Sequence, residues 1–322
     1  MAYQNVGTPR FYINDLLWGF SNGITSGYGN LMDDFTDGNP SNQGTMDIDI
    51  EYKALGSWKR PNYDRPNYYA LLGHNLKSID AGARIFYRKS DGSWNGGHLI
   101  TPIVNSADGT DYSPGQSPFS FPDYDGFSMW EMTNSSDDDD YSSVSIHIGS
   151  YTGGTVKIGT FMTGRYYDMP HSPDLKLTMT REYGGVKTIE TKGGASLSNS
   201  FYTKPPKWAN NMEAWQLGDQ DFSVGGRRIW DLNFSYLSDS SVFPDNPTEI
   251  ADGGGWEVDT ITPDFMSEVL RKVRGSMLPF IFQPDKDNNN EFAICRFDMN
   301  SLKVTQTSPS LYQISLKIRE SW

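Results

Sequence analysis

The 322-residue chain carries 40 acidic against 27 basic side chains, and a formal charge of −13 argues against partners that need a basic face, such as nucleic-acid phosphates or an anionic lipid surface. A single cysteine, Cys295, rules out an internal disulfide, and no stretch is apolar over the length of a bilayer crossing. Aromatic residues at 14% and 32 glycines, set among Asn, Asp and Ser, imply short strands joined by tight turns, over a length that suits two β domains.

In chain order, Arg10–Leu17 reads as a strand, followed by a glycine-punctuated loop. Met46–Tyr52 alternates apolar and acidic residues, the pattern of a half-buried strand. After the proline-bounded crossing 58–66 come the apolar segment Tyr68–Leu76 and the strand Ala83–Arg88. Residues 101–125 hold four prolines and little periodicity, which predicts loop with at most edge strands. Gly126–Thr133, Ser143–Ile148 and Val156–Phe161 read as further strands, so that residues 53–168 form one β-sandwich.

The pattern then changes. Leu175–Arg181 alternates strictly, with Thr188–Lys192 as a short partner strand, and Lys204–Trp208 is a rigid break. In Arg227–Leu237 the alternation places Trp230, Leu232, Phe234 and Tyr236 on one face and Asp231, Asn233 and Ser235 on the other. Ser238–Glu257 is a long loop. Thr262–Gly275 is the one convincing helix, with Thr262 as cap, Pro263 in the first turn and Gly275 as a left-handed stop. Its apolar face is Phe265, Met266, Val269, Leu270 and Val273, and its basic last turn, Arg271, Lys272 and Arg274, is left free for a neighbour. Four strands follow, the last placing Tyr312, Ile314, Leu316 and Ile318 on one face.

Few motifs carry chemistry. Pro284–Phe292 begins like a calcium loop but lacks the glycine and the closing glutamate, so it reads as a polar hairpin tip. Asp137–Asp140 reads as a solvated acidic loop, with Asp123 and Asp125 as helpers if a cation binds. His74, His98, His147 and His171 lack zinc-site spacing, His147 is expected to face outward, and Cys295 reads as a small buried hydrophobe on a strand. No nucleophile elbow, phosphate loop or dinucleotide fingerprint occurs, so no catalytic or cofactor-binding residue is assigned and no enzyme is expected. Trp94, Tyr112 and Tyr124, with Asn95, His98 and Asp123, have the chemistry of a glycan site, rings for sugar faces and polar groups for hydroxyls. The same rings also suit plugs at the sandwich ends.

Three stretches, RRIWDLNFSYLSDSSVFP, the helix with LRKVRGSMLPFIFQPD, and the closing FAICRFDMNSLKVTQTSPSLYQISLKIRESW, resemble the ring-forming proteins of bacteriophage tails. NYYALLGHNL, GARIFYR and VKIGTFMTGRYYDMP are similar to galactose-binding-like jelly rolls. The resemblance implies a mainly β chain: a tail-tube-like β-sandwich with one flanking α-helix plus an inserted jelly-roll β-sandwich. Residues 1–52 and 169–322 would build the ring-forming domain, and 53–168 the jelly roll. It implies a distal-tail virion protein assembled in the host cytoplasm, with a homo-oligomeric ring, expected as a hexamer, as its working form. Its partners would be the tube and hub proteins and host surface polysaccharide, with DNA only passing through the lumen and no membrane anchor. Jelly rolls of this kind often hold a structural calcium, for which no ligand set stands in this sequence. Phe243 and Trp256, in the long loop, are candidates for an arm reaching the next subunit. A free lectin-like module remains the alternative.

Overall fold

The computed structural model describes residues 6–15, 43–46, 52–54, 67–89, 94–95, 99–104, 107–108, 120–133, 141–149, 154–182, 186–200, 216–217, 227–244, 264–289 and 291–321. Among them the strands run β1 (Arg10–Tyr12), β2 (Gly44–Met46), β3 (Tyr52–Ala54), β4 (Tyr68–His74), β5 (Gly82–Lys89), β6 (Trp94–Asn95), β7 (Leu99–Val104) and β8 (Ala107–Asp108). Next come β9 (Ser120–Phe121), β10 (Gly126–Thr133), β11 (Tyr141–Gly149), β12 (Val156–Ile158), β13 (Thr160–Gly164), β14 (Tyr166–Asp168), β15 (Thr178–Glu182), β16 (Val186–Glu190) and β17 (Ser196–Ser200). The last are β18 (Gln216–Leu217), β19 (Arg227–Ser238), β20 (Phe280–Gln283), β21 (Phe292–Phe297), β22 (Val304–Ser308) and β23 (Leu311–Glu320). The fold is mainly β, as expected.

A nine-stranded antiparallel sheet, ordered β14-β1-β20-β21-β23-β19-β15 with β18 on β21 and β22 on β23, organises the chain. Strand alternation gives this sheet two different apolar faces. On one side Phe11, Phe280, Phe282, Ala293, Cys295, Phe297, Trp230, Leu232, Phe234, Ile314, Leu316 and Ile318 form a core with Phe265, Val269 and Val273 of the helix. Phe11 lies at its centre, 5.3 to 6.0 Å from the rings of Phe265, Phe280, Phe282 and Phe297. Each of the three helix side chains contributes about 1.5–3 kcal/mol by leaving water. On the other side Tyr12, Ile281, Phe292 and Ile294 pack against Tyr68, Ala70, Leu72, Phe127, Met129 and Met162.

The second set belongs to a four-stranded sheet, β13-β4-β10-β7. A six-stranded sheet, β3-β11-β5-β9-β8 with β6 on β5, is built from the same part of the chain. β4 is buried along its whole length because its even residues face the large sheet while Tyr69 and Leu71 are buried on the reverse, Tyr69 stacking on Phe161 at 6.2 Å.

Several expectations are corrected. β1 ends at Tyr12, with the Ile13 amide still bonding the Arg165 carbonyl beyond it, and residues 16–17 of the expected strand lie outside the described residues. Of the segment 46–52 only the ends are described, Met46 in β2, which pairs with β12, and Tyr52 in β3, which pairs with β11; residues 47–51 lie outside the described residues. Val156–Phe161 is likewise two strands, since Gly159 donates to Leu72 and the chain changes partner there, from β2 to β4. The segment 101–125 holds β8, β9 and most of β7, and β7 is the edge of its sheet. The segment around Thr188 does not pair with β15: β16 and β17 form their own hairpin, turned at Thr191–Ala195 with Gly194 at φ 79°.

The helix is shorter than its periodicity suggests. Asp264 caps it, Oδ1 accepting from the Ser267 amide at 2.9 Å, and Met266–Arg271 has the wider π-type pitch. Thr262 and Pro263 lie outside the described residues. The left-handed stop comes one residue earlier than expected: Arg274, at φ 51°, bonds Arg271 and the following Gly275, at φ 67°, bonds Leu270, a Schellman closure. Met266 and Leu270 are only partly buried. Cys295 is fully buried in β21, and Pro284–Asn289 is the tip between β20 and β21.

Candidate assembly surface

The helix and the four-stranded sheet cover opposite apolar faces of the large sheet, so its edges matter for outside contacts. Among the described residues β14 and β15 end the strand order. β15 alternates between exposed and half-buried residues along its length. Just before it, Asp174 is pinned to β19: its amide donates to Asn233 O at 2.7 Å, and its Oδ2 accepts from Ser235 Oγ at 2.8 Å. This leaves Leu175 fully in solvent, 101% exposed. Just after the same part of β19, the register with β23 slips between Phe234 and Leu237. Tyr236 sits in that bulge at φ 62°, 75% exposed, and Leu237 takes the buried place that alternation assigned to Tyr236. Beyond the other end of β15, the β16–β17 hairpin holds Ile189 opposite Leu197, both more than half exposed.

Elsewhere in the large sheet and under the helix several buried charges are paired. Arg10 makes two bonds to Asp168, at 2.5 and 2.9 Å, and one to Glu131 on β10 at 2.8 Å, while lying 3.9 Å over the Tyr166 ring. Glu320, 1% exposed, takes the Nε of Arg228 at 2.7 Å and also its amide; burial pushes the Glu320 carboxyl upward and Arg228 opposes this. Lys272 corrects the expectation of a free basic turn. It is buried, with Nζ 3.1 Å from Asp15 and 3.0 Å from Glu268, whose other oxygen is 3.9 Å from Arg165. Burial raises Asp15 and the Lys272 charge offsets part of that. Arg271 and Arg274 remain exposed.

His74, buried in β4, accepts at Nδ1 from the Leu76 amide at 3.4 Å and so donates from Nε2 to Ser128 at 2.9 Å. Burial lowers it to about 4, leaving the ring neutral at physiological pH. Among the described residues no three His, Cys, Asp or Glu side chains gather as a metal site.

No family model, curated protein or solved structure matches this chain.

Of the residues proposed for glycans, Asp123 and Tyr124 lie side by side between β9 and β10, with Asp123 exposed and Tyr124 half-buried. Trp94 and Asn95 form β6, in register with Arg88 and Tyr87. His98 and Tyr112 lie outside the described residues, as do Trp256 and the Asp137–Asp140 run, and nothing is described of the His147 side chain. Asp125 is engaged within the chain, where it accepts from the Ser78 amide at 3.0 Å and from the Ser78 hydroxyl. Phe243, the other arm candidate, follows a short helix, α1 (Asp239–Val242), and packs edge-on to Tyr312 at 5.2 Å. Tyr236, Leu175, Ile189 and Leu197 were not singled out by pattern. For Ile189 and Leu197, opposite places around a Gly-Gly turn were the available signal.

Proposed function

We propose that this chain is a ring-forming structural protein of the distal tail of a tailed phage, with its smaller sheets turned outward toward host glycans. The observation that carries the ring is the large sheet, covered on both faces within the chain and, among the described residues, ending at β15. A subunit built this way has edges and loops left for self-association. A head-to-tail contact between unlike patches then closes into a ring when the rotation between copies permits. The net charge of −13 suits a conduit that repels DNA. The glycan role rests on the sequence chemistry of Trp94 and its neighbours, with Asp123 exposed at a sandwich turn.

Negative-stain images and native mass spectra of the purified protein test the ring. Closed rings of one copy number are expected, and a chain that stays monomeric at millimolar concentration refutes the reading. Binding of wild type and Trp94→Ala to arrays of bacterial polysaccharides tests the second role, which fails if wild type binds nothing or the variant binds equally.

A further inference from the structure

Among the described residues five large hydrophobic side chains are strongly exposed, and four of them fall at the two ends of β15. Leu175 and Tyr236 stand at one end, brought together by the Asp174 bonds to Asn233 and Ser235. Ile189 and Leu197 stand beyond the other end, opposite each other on the β16–β17 hairpin. The first patch borders the nine-stranded sheet and the second lies on the separate two-stranded β16–β17 sheet, so these are two patches on one copy.

Each patch carries a cost that the isolated chain does not recover. A two-stranded hairpin is marginal in water unless its side chains are covered. Here the cross-strand Ile189–Leu197 pair faces solvent. At the other patch, β19 bulges and holds a bulky aromatic in the left-handed region, a conformation that costs about 1–3 kcal/mol, and so turns Tyr236 out of the core. The patches also differ in charge. Segment 186–200 carries Lys187 and Lys192 against Glu190, net +1 in a chain of net −13. Asp174 and the exposed Lys176 flank Leu175, and Asp239 stands three residues after Tyr236, net −1.

We infer that the β16–β17 hairpin of one copy docks on the Leu175–Tyr236 patch of a second copy, Ile189 and Leu197 covering the exposed leucine and tyrosine while the net +1 hairpin meets the net −1 patch. The contact is heterologous, one patch giving and another receiving, and propagates from copy to copy. This assignment rests on the ring-forming reading and names the surfaces it uses.

The test uses Leu175→Cys and Leu197→Cys full-length chains, each with a short bismaleimide cross-linker, alone and mixed in equal amounts. Both positions are exposed, and native Cys295 is fully buried. Cross-linked dimers in the mixture and in neither chain alone are expected. In parallel, Ile189→Asp with Leu197→Asp, and separately Tyr236→Asp, weaken self-association at least tenfold in sedimentation velocity while the far-ultraviolet circular dichroism stays native. Cross-links within either single preparation, or rings from the aspartate variants at wild-type concentration, overturn the docking and leave the ring standing. A wild-type chain that never associates overturns both.

Discussion

Replacing Lys272 with methionine probes the most concentrated set of buried charges in the described structure. The substitution keeps the length of the apolar stem but removes the cation held 3.1 Å from Asp15 and 3.0 Å from Glu268. Both carboxylates are at most 7% exposed, so neither recovers its hydration when the ammonium disappears. Removing one partner of a buried ion pair leaves an uncompensated charge and costs about 3–5 kcal/mol, far more than loss of an exposed pair. Arg165, 3.9 Å from Glu268 and partly exposed, compensates only a fraction. Urea unfolding followed by tryptophan fluorescence at pH 7.5 reads this loss as a lower midpoint at unchanged slope. The pH dependence supplies a second check. Asp15 already titrates above its unfolded value of 3.8, because burial outweighs the help of Lys272. A carboxyl whose folded pKa is raised binds its proton more readily in the native state, so stability is gained as pH falls through that pKa. In Lys272→Met the shift grows, and the difference from wild type should shrink from pH 7.5 to pH 5. A loss below about 1 kcal/mol, or a difference that widens on acidification, would refute the account of this cluster as a buried, mutually compensated set.

Other outcomes follow from single contacts. In Gly164→Ala the new Cβ lies 2.2 Å from the Ile13 carbonyl, which is backbone and cannot rotate away, so the melting temperature should fall by the equivalent of about 2–3 kcal/mol or more. His74 titrates near 4 rather than 6.5, so the unfolded chain takes up its proton first and stability is lost as pH falls from about 6.5 to 4. That term is worth about 3 kcal/mol across the window, and His74→Gln should flatten it in urea titrations at a series of pH values. Tyr236→Gly relieves the left-handed strain without touching the core and should raise monomer stability by about 0.5–1 kcal/mol in thermal melts. Val269→Asp, at a fully buried helix position, should abolish cooperative unfolding of the large sheet, whereas Leu270→Asp, only partly buried, should leave a folded protein seen by circular dichroism.

What the sequence revealed, and what it hid, divides along the reach of the interactions. Alternation at Trp230, Leu232 and Phe234, and again at Ile314, Leu316 and Ile318, is a property of each strand alone and appears in the fold without change. The helix was legible for the same reason, its apolar stripe being local. Tyr236 was misplaced because the bulge answers to the register of β23, which no pattern within β19 encodes. Lys272 was misread because its burial depends on Asp15 and Arg165, both remote in sequence. The apolar run 156–161 hid a change of partner at Gly159, since continuous hydrophobicity does not say which sheet receives each residue. For the glycan candidates, loop aromatics carry too little periodicity to fix where they point, and among the described residues the fold leaves Trp94 and Asn95 on β6 and Asp123 and Tyr124 in the turn before β10.

The position of β1 has a consequence for how the chain is made. Its three residues lie between β14 and β20, pairing Phe11 with Tyr167 on one side and Phe282 on the other. The strands of the four-stranded sheet all fall between β1 and β14 in sequence, so they can find one another while the ribosome still holds the rest. The large sheet must wait. Until β20 emerges, Phe11 and Tyr12 have only half their neighbours, and until β23 emerges β19 lacks its longest partner. Contacts between such distant segments make folding slow, and the interval exposes unpaired strands to other nascent chains. Synthesis therefore pairs the four-stranded sheet early and leaves its inner face waiting for Ile281, Phe292 and Ile294, so β20 and β21 decide whether the product is a subunit or an aggregate.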